Sequence, residues 1–533
     1  MAAANDLRPV VDMIELSQQQ LIQNSAHAIT PTSAPAKPRT SFAADVLKLV
    51  SGSASAQLLS ILVAPLIARL FAPAAFGTAA LFVSIAGLIS AVVGMRYELS
   101  IVLPDKEEEA ANSAAVSFCF ILLITVLTAG LMFFAGPNIV ALLRAPELKA
   151  YLWLVPAMVL LNGIYAAFGY WNTRQKQFGR QTVIQVASTV FFVVTQIAAG
   201  VAGYVSGGMI IAATVLSTLL GTLLLGSITA VEWARFFARE VTGRRMLTAL
   251  KRYSSFPKYS TMSAVLNNLG WQMPTFMLSA FFSPAVVGYY ALGNRLLRIP
   301  INLVGVNIAT VFFQHAAEAN HCGGLRHSVD RLFQYLARLF VFPSLVLCFI
   351  GKDLFAVVFG SRWGEAGIYT QILSIYVLFW FMSVPLGIAL NVLEKQALEL
   401  RLITVVLLAR FVALYIGGEF GSARITLALF TVAGVSVYAY YCWVVLRHCG
   451  VQLGRVGQVF GKEVVLFAPA GLILGMLKYA AVSSVTIVMV ACVLFALYCL
   501  NLLRTDAMVR RNVAALFKRF EHSAAAADVP VSP

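Results

Sequence analysis

The sequence predicts an all-α polytopic membrane helix bundle of about fourteen transmembrane helices, arranged as two six-helix lobes in parallel pseudo-repeat around a central cavity plus two C-terminal helices. Three observations predict it. Apolar stretches of about twenty residues recur from Leu47 to Leu503, the length a helix needs to cross ~30 Å of hydrocarbon. The connections between them alternate between basic and nearly charge-free. A short segment in the first half returns at the corresponding place in the second.

Composition agrees. The chain is 60% hydrophobic and only 12% charged, too few charges to coat a soluble globule of this size. Helices satisfy their own backbone hydrogen bonds in lipid, and these runs are too long for the ten-residue alternating strands of a membrane barrel. The net charge of +16 would suggest nucleic acid in a soluble protein. Here most Lys and Arg fall in one alternating set of loops, where the positive-inside bias explains them, so no nucleic acid is expected as a partner. The seven cysteines are scattered without a CxxC pair or a His at ligand spacing, so no metal site and no cofactor is expected.

The elements follow in order. Residues 1–43 lack a signal-peptide core and carry Gln18 to Gln20 before a Pro/Ala/Thr stretch, which predicts a disordered cytoplasmic tail. The first lobe, 44–231, holds spans 44–71, 78–99, 112–136, 150–170, 181–202 and 208–231. A basic cytoplasmic linker, 232–257, carries Arg244, Arg245, Lys251 and Arg252. The second lobe, 258–447, holds spans 258–282, 288–313, 333–351, 367–390, 401–418 and 425–447. Residues 448–503 add spans 463–480 and 484–503, and 504–533 form a basic cytoplasmic tail. An even number of spans puts both termini in the cytoplasm, where the basic connections also lie.

The internal repeat is Phe71-Ala72-Pro73-Ala74-Ala75-Phe76-Gly77-Thr78-Ala79-Ala80-Leu81 against Phe282-Ser283-Pro284-Ala285-Val286-Val287-Gly288-Tyr289-Tyr290-Ala291-Leu292, with six of eleven positions identical. Each copy sits at the external turn between the first and second helices of its set, as parallel transporter repeats would place it.

Charged residues inside the spans point to function. Arg295 and Arg298 lie about 10 to 15 Å into the eighth span at ~1.5 Å per residue, and neither the seventh nor the eighth span contains an acid. An unpaired Arg at that depth costs at least roughly 2.5 to 3.5 kcal/mol, so it faces a watery cavity or a partner. Spacing puts Arg295, Arg298 and Asn302 on one helix face with Asn294 beside them. The seventh span offers Ser263 and Asn267 as a matching polar stripe, with Gly270 and Pro274 to let it bend, and Gln57 adds a polar group in the first span. Two guanidiniums without a carboxylate suit a phosphate, whose oxygens they grip bidentately. The alternatives are snorkelling or a partner on another span, with Glu98 the candidate. Arg96 and Glu98, at the end of the second span, are too close in sequence to face each other on one helix. Each is therefore expected to meet a neighbouring helix in a clamp at the cytoplasmic gate. The run Glu107, Glu108 and Glu109 reads as a solvated helix start.

Arg96-Tyr97-Glu98-Leu99-Ser100-Ile101-Val102-Leu103-Pro104 with its acidic run and Asn112, Phe256-Pro257-Lys258-Tyr259-Ser260, the run from Phe281 to Pro300, and Phe359-Gly360 with Trp363 and Glu365 resemble segments of polysaccharide-transport flippases of the Wzx type, in the multidrug/oligosaccharidyl-lipid/polysaccharide exporter superfamily. The similarity runs from about Ser41 through the twelfth helix. It implies two lobes around a cavity that opens to either side in turn, and translocation of a polyprenyl-diphosphate-linked oligosaccharide across the bacterial inner membrane. It also implies diphosphate binding at Arg295 and Arg298, and a polymerase and glycosyltransferases of the same pathway as partners, beside membrane lipids. The two extra terminal helices depart from shorter relatives.

Two rivals remain open. A drug/cation antiporter of the same superfamily would need a carboxylate in its first helices, yet none lies between Asp45 and Glu98. A membrane glycosyltransferase or polymerase would need paired external carboxylates, whereas the external loops offer only isolated Glu147, Asp353, Glu365 and Glu419. The chain is therefore expected to be no enzyme, with no catalytic residue.

Overall fold

The computed structural model describes residues 42–505. The expected tails, 1–43 and 504–533, lie outside the described residues except at 42–43 and 504–505. Two compact units divide the chain, Met1–Leu47 and Lys48–Pro533; of the first only the helical residues 42–47 are described, and the packing of helices is a property of the second.

Among the described residues there are sixteen α-helices and no strand. They are α1 Phe42–Leu70, α2 Pro73–Ser90, α3 Glu107–Leu142, α4 Leu154–Arg174, α5 Phe178–Val201, α6 Gly207–Glu240, α7 Gly243–Arg252 and α8 Thr261–Phe281. Next come α9 Pro284–Leu297, α10 Val306–His321, α11 Leu325–Phe359, α12 Gly364–Val392, α13 Gln396–Phe420, α14 Ala423–His448, α15 Leu453–Tyr479 and α16 Ser484–Thr505. Eleven membrane-length apolar helices are found among the described residues, against the fourteen spans expected. The shortfall has a cause. Only Ser55–Leu70 of the first helix is counted, α8 is diluted by Ser263, Asn267, Asn268 and Gln272, and the eighth span is broken between Leu297 and Val306 by a π-helical turn, Ile301–Gly305. The chain is a multi-pass membrane protein.

The repeated letters build a repeated start. Pro73 and Pro284 each open a helix at its first turn, where the missing N–H costs nothing and the fixed φ already suits the helix. The two starts pack on each other reciprocally. A Cβ on Gly77 would fall on the carbonyl of Pro284, and one on Gly288 would fall on the carbonyl of Pro73. Equivalent residues of the two copies thus meet backbone to backbone, an approach only glycine allows and the usual device for packing helices in lipid.

Further bonds cross between residues 68–144 and 279–363 at this same end. The Trp363 indole donates to the Ala68 carbonyl at 2.6 Å, and the ring itself is fully buried. Arg69 donates to the carbonyls of Val357 and Val358 at 3.0 and 3.3 Å, while Arg362 donates back to the Arg69 carbonyl. Arg144 donates to the Phe281 carbonyl at 2.9 Å, and the Ser279 hydroxyl donates to that of Leu143. Trp363→Phe keeps the ring but leaves the Ala68 carbonyl unpaired, an expected cost of about 1–3 kcal/mol that a lowered thermal midpoint of the purified protein would register.

At the opposite end the bonds run within residues 97–252. Tyr97 donates to the Leu250 carbonyl at 3.0 Å. Asn112 donates to the Glu240 carbonyl at 3.0 Å and accepts from the Thr242 amide at 3.2 Å. The acidic helix start of α3 is paired as well as solvated, with Glu109 at 2.7 Å from Arg252 and Glu108 at 3.4 Å from Arg245. One end is therefore bolted across the halves, and the other is stitched inside the first.

One expectation needs correction here. The second span stops at Ser90, not near residue 99: a string of turns follows, with Met95 and Arg96 at positive φ, and then a 3-10 helix, Tyr97–Val102. Because the chain is not α-helical there, Arg96 and Glu98 can turn toward each other, and they pair at 3.7 Å instead of each reaching a neighbouring helix. Trp171, Trp363 and Trp380 are buried in the protein.

Helices α15 and α16 pack on α11. Phe342 stacks on Tyr498 at 4.0 Å between centroids. The Tyr498 hydroxyl lies 3.3 Å from the buried Glu463, and Asp353 meets Lys478 at 3.2 Å and Ser484 at 2.8 Å.

Candidate functional site

The site is built from the end of α9 and the middle of α8. Arg298 follows the last residue of α9, and successive i→i−4 bonds keep its polar neighbours in line: its amide donates to the Asn294 carbonyl at 3.1 Å, and the Asn302 amide donates to its own carbonyl at 3.0 Å. Asn294, Arg298 and Asn302 therefore form one stripe although the α-helix pauses between them. Pro300 supplies no amide, which is where the ladder loosens into the π-turn.

The Arg298 guanidinium lies over the Trp271 ring, 4.3 Å from its centroid. Such a cation–π contact is worth about 0.5–2 kcal/mol and leaves the planar donors uncommitted. Trp271 is itself oriented, donating its indole N–H to the Asn267 amide oxygen at 3.1 Å and resting against Trp380 at 4.9 Å. Arg295, three residues earlier, is exposed. Among the described residues no carboxylate pairs with Arg295 or Arg298: Glu98, the candidate partner, is engaged with Arg96. By contrast, Arg338 lies 4.0 Å from Glu463 and Lys478 3.2 Å from Asp353.

The other expected residues are placed as follows. Asn267 joins Arg298 through Trp271. Ser263 and Asn302 are exposed, and Asn294 and Gln57 half-buried; beyond the backbone ladder, the structure brings none of these four into contact with the guanidiniums. Gly270 and Pro274 lie within an α8 that runs unbroken from Thr261 to Phe281, and the departures from α-geometry fall instead at two π-turns, Phe256–Ser260 and Ile301–Gly305. Arg96 and Glu98 sit apart, at the turn after α2.

Sequence reasoning missed Arg410. It stands in α13, 8% exposed, over the rings of Phe430 at 4.9 Å and Tyr376 at 5.7 Å. No acid pairs with it among the described residues. Tyr376 in turn stacks on Trp380 at 6.0 Å. An aromatic file, Trp271, Trp380 and Tyr376, thus runs from Arg298 to a third guanidinium, this one buried. The signal was present: Arg410 is a lone Arg midway along an apolar span, the same criterion that singled out Arg295 and Arg298.

Chemically, the arrangement can hold an anion. Mobile planar donors on a polar stripe, backed by rings rather than by carboxylates, can exchange a ring face for phosphate oxygens without leaving an acid unpaired. Among the described residues no cluster of His, Cys, Asp or Glu could hold a metal ion.

Residues 66–367 match the polysaccharide biosynthesis protein family. The succinoglycan biosynthesis transport protein ExoT of Rhizobium meliloti (strain 1021) is 23% identical over 305 residues, which are 57% of this chain and 59% of that relative's length. Among solved structures, the lipid II flippase MurJ in an inward closed conformation superposes with a TM-score of 0.66 at 11% identity, covering 86% of this chain and 99% of that one. An inward-facing multidrug resistance MATE family transporter of the MOP superfamily gives 0.52 at 13% identity, covering 81% and 98%. At these identities the structures report the fold alone. The chain is a member of the polysaccharide biosynthesis protein family.

Proposed function

We propose that this protein is a flippase that carries a polyprenyl-diphosphate-linked oligosaccharide across the bacterial inner membrane by alternating access. The lobes 44–231 and 258–447 rock about the linker 232–257, and both termini lie in the cytoplasm. The observation that carries the reading is the pair of guanidiniums, Arg295 and Arg298, without a carboxylate on a polar, accessible stripe. A diphosphate is the counter-charge such a site lacks, and moving it through bare hydrocarbon would incur the full desolvation of its charge. Arg298 parks on Trp271 when the site is empty and leaves it for phosphate when the head group enters.

The bolted Pro73/Pro284 end is the external gate, closed in this state, and the head group enters from the side stitched by α7. The names of ExoT and MurJ, a polysaccharide transport protein and a lipid-linked flippase, support the same substrate class. The absence of a carboxylate between Asp45 and Glu98 disfavours cation-coupled drug export, and a cationic site would repel cationic drugs.

The test is a reconstituted flipping assay. Purified protein in vesicles carrying a fluorescent undecaprenyl-diphosphate oligosaccharide should expose the inner-leaflet pool to an external glycosidase or quencher, with the lipid recovered chemically unchanged. Chemical alteration of the lipid would favour the enzymatic rival. Transport of a cationic dye but not of the lipid would favour the antiporter.

A further inference from the structure

The linker helix α7, Gly243–Arg252, has a sharply divided surface. At ~100° per residue, Gly243, Met246, Leu247, Ala249 and Leu250 occupy one arc, and Arg244, Arg245, Thr248, Lys251 and Arg252 the other. The basic arc is itself split. Its one edge is neutralised by protein: Arg245 meets Glu240 at 2.6 Å and Glu108 at 3.4 Å, and Arg252 meets Glu109 at 2.7 Å.

The other edge is not. Arg244 and Lys251 are two turns apart on one line, both exposed, and no ion pair involves either among the described residues. Leu247, beside them, is 60% exposed. Below it, between α7 and α3, runs a groove of about 460 Å³ lined by Val116, Phe120 and Leu123 of α3 and Met246, Leu247 and Leu250 of α7. That volume is in the range of small-molecule sites, about 300–1,000 Å³. The face of α3 that continues from it, with Leu122, Val126 and Leu127 exposed, belongs to a membrane-length helix, so hydrocarbon reaches the groove's mouth.

We propose that this groove binds an anionic phospholipid of the surrounding leaflet, one acyl chain lying between α3 and α7 and the phosphate on Arg244 and Lys251. Charge complementarity selects the occupant: an apolar slot bordered by two free cations and no free acid fits an acyl chain under a negative head group. A zwitterionic lipid would bring a choline or amine against Arg244. The site is separate from the transport stripe and does not rest on the proposed substrate. Because α7 also carries the Tyr97–Leu250 bond and the Glu109–Arg252 pair, a lipid there braces the connection between the halves.

The test uses the full chain in nanodiscs holding equal phosphatidylglycerol and phosphatidylcholine, released and weighed by native mass spectrometry. Wild type should retain phosphatidylglycerol in preference. Arg244→Gln with Lys251→Gln should lower that retention about tenfold or more, at roughly 1 kcal/mol per basic residue near an anionic head group. Arg244→Lys with Lys251→Arg should keep it, and Lys462→Gln, on exposed α15, should not change it. Cys119 also lines the groove, and Cys119→Trp, which fills it with both charges present, should lower retention too and serves as the readout if the double variant fails to fold. Equal retention of the two lipids by wild type, or undiminished retention by the double glutamine or the tryptophan variant, overturns the proposal. So does displacement of phosphatidylglycerol by an equal amount of undecaprenyl phosphate, which would assign the groove to the carrier lipid.

Discussion

Arg298→Ala should abolish polymer export, with a fall of at least tenfold, while insertion and folding stay intact. The substitution removes a cation that lies on the Trp271 face, and Trp271 remains held by Asn267 and Trp380. The stability change should therefore stay near the cation–π value of about 0.5–2 kcal/mol. The loss on the substrate side is larger. Charge-assisted bonds to phosphate are worth about 1.5–3 kcal/mol each, and 1.4 kcal/mol is a factor of ten, so losing a two-pronged grip lowers binding by about a hundredfold. Arg298→Lys keeps the charge but not the planar fork and should be intermediate. Arg295→Ala should act in the same direction. Complementation of export in a strain lacking the gene, with membrane levels and melting measured in parallel, separates binding from folding. Export at the wild-type level by the double alanine variant would remove the anion-site mechanism.

Gly288→Ala should disable transport by a different route. Any Cβ at that position meets the Pro73 carbonyl, and the atom in the way is backbone that cannot rotate aside. Overpacking of this kind costs about 1–3 kcal/mol, and it is charged only to the state in which the two helix starts touch. Each 1.4 kcal/mol moves the ratio of sealed to unsealed molecules tenfold, so the Pro73/Pro284 end should stand open for much longer. Gly77→Ala, which meets the Pro284 carbonyl, should do the same. A cysteine placed at buried Ala75 and probed with a membrane-impermeant maleimide from outside should label slowly in the wild-type background and severalfold faster with Gly288→Ala. Unchanged labelling together with normal export would mean that the reciprocal contact is dispensable for closure.

The two variants fail differently, which makes them useful together. Arg298→Ala leaves the gate's labelling untouched and loses the cargo, whereas Gly288→Ala keeps the anion site and loses the seal.

Much of the site was legible because an arginine inside an apolar run is conspicuous wherever it stands. Arg295 and Arg298 were found that way, and Arg410 answers to the same test. Their surroundings were not legible. Nothing local to Trp271 says that its face would lie under Arg298, and nothing in Trp363 distinguishes an interfacial anchor from a buried bolt to Ala68. Nor does hydropathy, which runs on past Ser90, reveal the turns that bring Arg96 to Glu98.

By itself, the sequence determined the solvent, the all-helical class and the repeated helix start. Transfer of a twenty-residue run into lipid is a sum over that run alone, so hydropathy decides it locally, and Pro and Gly at matched offsets mark a matched helix start. Tertiary structure alone decided which of those helices touch. That Gly77 meets Pro284 while Gly288 meets Pro73, that an aromatic file joins Arg298 to Arg410, and that one end is bolted while the other is stitched all depend on how each helix is rotated and how deep it sits. In lipid the hydrophobic effect does not choose between helix faces; close packing and hydrogen bonds between distant segments do, and no window of sequence contains both partners.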